Sequence, residues 1–380
     1  MKKFLALLLA LMMVLSLAAC GSAPAGDAGD GTADAGAVEI TDDTENVEID
    51  IPEATFADLA NGGFVVADND QCKITITDVK EGYKYWTHKD ELKENAGGFT
   101  LFVSVENKRT DNPIGFECVA ASFNGLSVGN TSFFDETLSE EKNTGNSEFP
   151  CDKVIQPGET ADYMVTLSHY HKIETEGDMI TPVMNLSDVT AISVYFEILE
   201  KTENENYDTS FMGEHFLVDG CLFTLYTDSK EAAVYYERTP KDSDIVLYED
   251  DFVTVTAVSA NNTYNNEVED LVVLLLFLEN KANQIHTQYG SNQNIINGSL
   301  PASSVYWDLC HMIINSCGYI EKPATVYRTG EDGDSYRTFS LEEIETWEFT
   351  FSYIIEEPVQ SVKQQITLTG DDLQKLYAAN

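Results

Sequence analysis

His169-Tyr170-His171 sets two imidazoles one residue apart, and on an extended strand that spacing puts both on one side, a geometry zinc accepts. No cysteine or carboxylate accompanies them at a recognisable metal spacing, so the plainer reading is a solvated pair near a loop. Cys310-His311 with Cys317 is the other imidazole and thiol grouping. On a helix Cys310 and Cys317 would share a face with Ile313 and Ile314, which makes them core thiols rather than ligands. Carboxylates gather at Asp68-Asn69-Asp70, Glu249-Asp250-Asp251 and Glu331-Asp332-Gly333-Asp334, where they offer calcium ligands at domain edges. None fits the twelve-residue EF-hand loop, which needs carboxylates at alternate positions and a closing Glu. No His-Glu-x-x-His helix and no Gly-rich phosphate loop occurs. Tyr83, Tyr85 and Trp86, in one loop-like stretch, offer a platform for a sugar or peptide, or else the cover of a sandwich end. The expectation is a chain with no catalytic residue, no cofactor and no metal site.

Cys20 carries a different chemistry. Lys2 and Lys3 precede an apolar run from Phe4 to Leu17, and Leu17-Ala18-Ala19-Cys20 closes it with small residues before a cysteine. The run has 14 residues, short of the roughly 20 that cross a bilayer as a helix. This start resembles the lipobox of a bacterial lipoprotein signal peptide. The resemblance implies that residues 1–19 are removed, that Cys20 is thioether-linked to diacylglycerol, and that the protein sits on the extracellular face of the cell membrane. Two acyl chains anchor far more firmly than one, since each buried methylene contributes about 0.8 kcal/mol.

Composition narrows the partners. The chain has 380 residues, 43% apolar and 11% aromatic, which suits two or three domains with real cores. Its net charge of -43 excludes nucleic acid, because phosphate recognition needs clustered Lys and Arg. An acidic surface keeps a secreted protein soluble and repels anionic headgroups and wall polymers. Besides Cys20 there are Cys72, Cys118, Cys151, Cys221, Cys310 and Cys317, three in each half of the chain. Bridges confined to one domain would leave a thiol over in each half, so mostly reduced, buried cysteines are expected, with Cys118 and Cys151 the first pair to test.

The elements that must position these groups are strands. No Lys or Arg occurs between Lys3 and Lys73, and residues 20–62 read as an acidic, disordered tether. Beyond it, period-two alternation dominates. Phe99, Leu101, Val103 and Val105 form one inward face. Ile192, Val194, Phe196 and Ile198 form another, and Trp347, Phe349, Phe351, Tyr353 and Ile355 a third. The run Leu271 to Leu278 reads as a fully buried strand.

The halves repeat one another. Glu106-Asn107-Lys108 and Glu279-Asn280-Lys281 each close a strand, and each Asn stands 17 residues before an Asn-Gly pair, Asn124-Gly125 or Asn297-Gly298. Upstream, Ile74-Thr75-Ile76-Thr77 aligns with Val253-Thr254-Val255-Thr256. The Asn-Gly pairs suit type I′ turns, and Gln156-Pro157-Gly158-Glu159 marks a further tight turn. Ser340-Leu341-Glu342-Glu343 reads as a capping box. In the second copy Ser303 or Ser304 would cap a helix through Tyr306, Trp307, Leu309, Cys310, Ile313 and Ile314, ended by Gly318.

This pattern resembles the immunoglobulin-like sandwich domains of Gram-positive-type surface lipoproteins. The resemblance implies a mainly β fold of two antiparallel β-sandwiches, at 63–205 and 211–380, the second with a helical insertion near 303–317. The expected function is that of a lipid-anchored extracellular binding or scaffold protein of the cell envelope. Its partners would be the membrane, through diacylglycerol on Cys20, and an envelope protein or polysaccharide, but not nucleic acid. The alternative is a solute-binding lipoprotein of an ABC-type importer, with two α/β lobes. A wall-modifying or metal-dependent enzyme is the third reading.

Overall fold

A computed structural model describes residues 51–86, 92–134, 155–168, 184–200, 216–265, 268–298, 308–330, 333–356 and 359–378. The chain is mainly β. Two helices occur among the described residues, of four and eight residues, and neither lies between parallel strands as the lobes of an importer component would require. Residues from Glu48 onward make one compact unit containing two separate cores.

The first core lies between two sheets. One is built from β2 (Phe64–Asp68), β3 (Cys72–Trp86), β4 (Leu92–Asn107) and β7 (Thr160–Ser168), hydrogen-bonded in that order. The other contains β6 (Leu126–Phe134), β5 (Ile114–Phe123), β8 (Ala191–Glu200) and β9 (Phe216–Tyr226). Strand β6 serves both sheets, pairing with β5 near its start and with β7 further on. The expected alternation holds, because Phe99, Leu101, Val103 and Val105 and likewise Ile192, Val194, Phe196 and Ile198 are all buried in this core. Aromatic rings bridge the layers, with Phe116 and Tyr163 at 4.6 Å and Phe99 and Phe123 at 5.4 Å between ring centroids.

The second core repeats the plan. β10 (Ile245–Glu249), β11 (Val253–Asn265), β12 (Val268–Asn280) and β15 (Cys317–Pro323) form one sheet. β14 (Asp308–Ile313), β13 (His286–Ile296), β18 (Thr346–Glu356) and β19 (Val359–Thr369) form the other. A hairpin of β16 (Thr325–Gly330) and β17 (Gly333–Thr338) stands apart. Strand for strand, β2-β3-β4-β7 corresponds to β10-β11-β12-β15, and β5-β8-β9 to β13-β18-β19.

Hydrogen bonds establish the correspondence residue by residue. Asn107 and Asn280 are buried and do the same work: the first donates its amide to the Asn112 and Ile155 carbonyls and accepts from Arg109 N–H, and the second donates to Ile313 O and accepts from Ala282 N–H. Asn124 and Asn297 both take positive φ, 51° and 52°, and Gly125 and Gly298 follow at 80° and 70°, as a type I′ turn requires. Each side chain then reaches across to the entry of the next core strand. Asn124 accepts from Thr190 and Ala191 N–H and donates to Asp188 O, while Asn297 accepts from Glu345 and Thr346 N–H and donates to Glu343 O. Ser340 and Glu343 form the expected capping box.

Four expectations need correction. Residues 308–313 and 317–323 are strands joined by a tight turn at Asn315 (φ 58°), not a helix. Met312 faces the second core while Ile313 packs against residues of the first sandwich, and a strand buried on both sides is apolar throughout, which periodicity cannot tell from a helix. The alignment of the copies slips by two residues, since Cys72 pairs with Asn107 as Val253 pairs with Asn280. A slip of two preserves every inside and outside position, so alternation is blind to it. Strand β9 runs antiparallel to β8 along its length, placing residues 216–226 in the first sandwich rather than at the start of the second. The end of the expected tether also folds: β1 (Glu53–Thr55) lies parallel to β9, and α1 (Phe56–Leu59) follows under a Thr55–Asp58 capping box, with Ala54 and Leu59 buried in the first core. The equivalent helix of the second sandwich, α2 (Gly370–Tyr377), follows β19 under a Thr369–Asp372 box and buries Leu373 and Leu376.

Where the sandwiches meet, Leu126, Val258, Leu275, Phe277 and Tyr319 form a third apolar cluster. Cys317 pairs in parallel with Leu126, so one sheet continues through both halves. This explains Leu271 to Leu278: Val272, Leu274, Leu276 and Leu278 fill the second core, while Leu275 and Phe277 on the opposite face fill the junction.

Asn280→Ala strips partners from a buried carbonyl, a buried N–H and the Tyr289 hydroxyl. It is expected to destabilise the fold by about 2–4 kcal/mol in urea titration. A chain beginning at Gly63 lacks Ala54, Leu59 and β1, and is expected to melt roughly 5 °C or more below one beginning at Glu48 in a calorimetric scan.

Candidate functional site

Two of the three acidic runs singled out as calcium donors, at Asp68 and at Glu249, sit at matching corners of the two sandwiches. Asn69 Oδ1 accepts the Gln71 and Cys72 N–H groups at 2.8 and 3.0 Å, and Asp250 Oδ1 accepts those of Phe252 and Val253 at 2.8 and 2.9 Å. These are side-chain-closed turns, the use for which Asn and Asp are favoured between strands. Asp68 meets the Lys108 ammonium at 2.5 Å and Glu249 that of Lys281 at 2.8 Å. The Lys108 hydrogen bond holds the Asp68 carboxyl below its ordinary range. Asp70 and Asp251 are exposed. Among the described residues no three His, Cys, Asp or Glu side chains gather as metal ligands.

Behind each corner turn lies a polar cluster, and the two differ in polarity. In the first sandwich Asp219, on β9, accepts from the Asn69 amide at 2.5 Å, and the Cys72 thiol approaches the same oxygen at 3.9 Å. In the second the carboxylate is Asp250 itself, taking the Tyr248 hydroxyl at 2.7 Å and the Tyr353 hydroxyl, besides its two turn N–H groups. Burial pushes the Asp250 carboxyl up, but the donors from Tyr353, Tyr248, Phe252 and Val253 outweigh it and hold the group below the ordinary carboxylate range. Burial and then the Asp250 hydrogen bond push the Tyr353 phenol far up. A carboxylate saturated with donors is a poor base, and a phenol held protonated is a poor nucleophile. The arrangement braces a turn and offers no acid–base pair.

The remaining positions fall apart in space or outside the described residues. Cys20, His169, His171, Cys151, Glu331 and Asp332 lie outside them, as do Ser303, Ser304, Tyr306 and Trp307. Tyr83, Tyr85 and Trp86 belong to strand β3 rather than to a loop. His311 and Cys317 lie on β14 and β15, and burial lowers the His311 pKa. Cys118 is buried; Cys72, Cys221 and Cys317 are free thiols. Sequence reading passed over Gly125-Leu126-Ser127-Val128-Gly129, which has the spacing of a hydrolase nucleophile elbow, but that motif needs a strand-to-helix turn. Here it crosses the hairpin from β5 to β6, and the Ser127 hydroxyl donates to the main-chain carbonyl of His311 at 3.4 Å.

Sequence reading missed Lys322, which is only 2% exposed and lies 5.0 Å from the Phe349 ring centroid. Its signal was parity, since Ile320 faces the second core and residue 322 shares that face. It also missed the junction's polar contacts. The Tyr236 and Tyr319 hydroxyls meet at 2.7 Å, and Arg238 forms a fork with Asp244 at 2.8 and 2.6 Å while lying over Phe277. An open groove along Leu341, Glu345, Thr369 and Gln374 brings no convergent set of groups.

The folded pKa of Asp250 lies below the unfolded value near 3.9, so its contribution to stability is complete above that value and is lost as pH falls through the folded one. Asp250→Asn is expected to lower stability at neutral pH, with the gap to the parent closing between about pH 5 and 2 in denaturant titrations. No protein-family model matches this sequence, and no curated protein matches it.

Proposed function

We propose that this chain is a lipid-anchored extracellular binding or scaffold protein of a bacterial envelope, built from two immunoglobulin-like modules and performing no catalysis. The observation that carries the reading is the pairing of a lysine-led apolar start ending in Leu17-Ala18-Ala19-Cys20 with a duplicated sandwich whose polar clusters brace turns. Diacylglycerol on Cys20 would hold the folded part at the outer face of the membrane. Partners would be envelope proteins or polysaccharides, engaged by loops on the rigid frame, where binding residues commonly sit. The acidic surface favours a neutral or cationic partner over an anionic polymer.

Cells expressing the full chain are expected to incorporate radiolabelled palmitate into it, and Cys20→Ala is expected to abolish the label and release the protein or leave it unprocessed. Absence of label in the parent chain would overturn the anchoring. A fold-preserving Cys20→Ala protein that retains every envelope partner recovered by cross-linking would separate binding from anchoring.

A further inference from the structure

Two thiols of the first sandwich lie near one carboxylate. Cys72 opens β3 in one sheet and is fully buried, its Sγ 3.9 Å from Asp219 Oδ2. Asp219 and Cys221 alternate on β9 in the facing sheet, where they pair with Ile198 and Phe196. Both partners are fully buried in the first core, and cross-strand partners share a face, so Asp219 and Cys221 look into the core that receives Cys72. Cys221 packs against that core and is half-buried. Burial, then the Asp219 carboxylate, pushes the Cys72 thiol up to about 12, and burial, then Cys72 itself, pushes Cys221 up as well. The resting state is therefore a protonated dithiol. The matching positions of the second sandwich hold no thiols: they are Val253, paired with Asn280, and Gln364, paired with Phe351.

We propose that Cys72 and Cys221 are an oxidisable pair whose disulfide ties the two sheets of the first sandwich together. The oxidant is a small-molecule disulfide. Cys221, the more accessible thiol, loses its proton and attacks one sulfur of the oxidant, forming a mixed disulfide and expelling one thiolate, which takes up the proton. Cys72 then gives up its proton and attacks the Cys221 sulfur, forming the protein disulfide and expelling the second thiol. Two protein sulfurs are oxidised, one disulfide is reduced to two thiols, and two protons move from cysteines to leaving groups. The tie would join β3 to the last strand of the sandwich and close a long loop, which constrains the unfolded chain. The pair belongs to the first core alone and is independent of acylation at Cys20.

The test treats the purified full chain with oxidised glutathione and maps disulfides by mass spectrometry without reduction. The expected result is a cross-linked Cys72–Cys221 peptide, a loss of two hydrogen masses, and a melting temperature raised by roughly 5 °C, reversed by dithiothreitol. Cys72→Val copies the second sandwich and so is compatible with the fold. It is expected to abolish the shift and leave Cys221 carrying glutathione. Cys221→Ala is expected to abolish the shift with no adduct on buried Cys72. Both thiols remaining fully alkylatable after oxidation would overturn the proposal, as would glutathione on both cysteines without a link, or a melting shift that persists in Cys72→Val.

Discussion

Two buried asparagines set the frame. At Asn107 and Asn280 a long core strand ends and the chain turns toward the opposite sheet, leaving main-chain groups that water cannot reach. A carboxamide answers both needs, because it donates and accepts at once, and each side chain closes its turn with the oxygen and holds a distant carbonyl with the nitrogen. An unmade bond of this kind in a core costs about 1–3 kcal/mol, so the corner is specified chemically as well as by apolar packing. Everything outward of it follows in register: the lysine beside it reaches the acidic corner turn, and the next strand begins where the side chain places it.

The junction obeys a second constraint. A sheet with both faces covered must be apolar on both, and β12 meets this by sending alternate residues into the second core and into the cluster shared with the first sandwich. The polar groups there are paired with one another, Tyr236 with Tyr319 and Arg238 with Asp244, which removes the penalty of enclosing them. The linker from β9 to β10 is held as well, since Tyr236 N–H donates to Asn124 O and Val234 N–H to the Thr190 hydroxyl.

Much of this is legible in the residues. Alternation located the core strands, Asn-Gly located both positive-φ turns, Ser340 and Glu343 located a capped turn, and the shared spacing of 17 leads in each half to a turn whose Asn makes the same hydrogen bonds to the next core strand. What alternation does not encode is which strand lies beside which. It therefore missed the membership of β9, the two-residue offset between Cys72 and Val253, and the parallel addition of β1. The acidic corners were visible as charge but not as turns, because whether Asp250 binds an ion or its own backbone depends on the fold of the next three residues. The approach of Asp219 to Asn69 across 150 positions had no local signal at all.

The segment that enters the first sandwich at its beginning touches the molecule at a mechanically particular place. Glu53 accepts from the Tyr226 hydroxyl and from the Lys230 ammonium, and β1 lies along the end of β9, just where the chain departs for the second sandwich. A pull on the chain ahead of Ile51 would thus load β1 against β9 in shear, and Ala54 and Leu59 would carry that load into the first core.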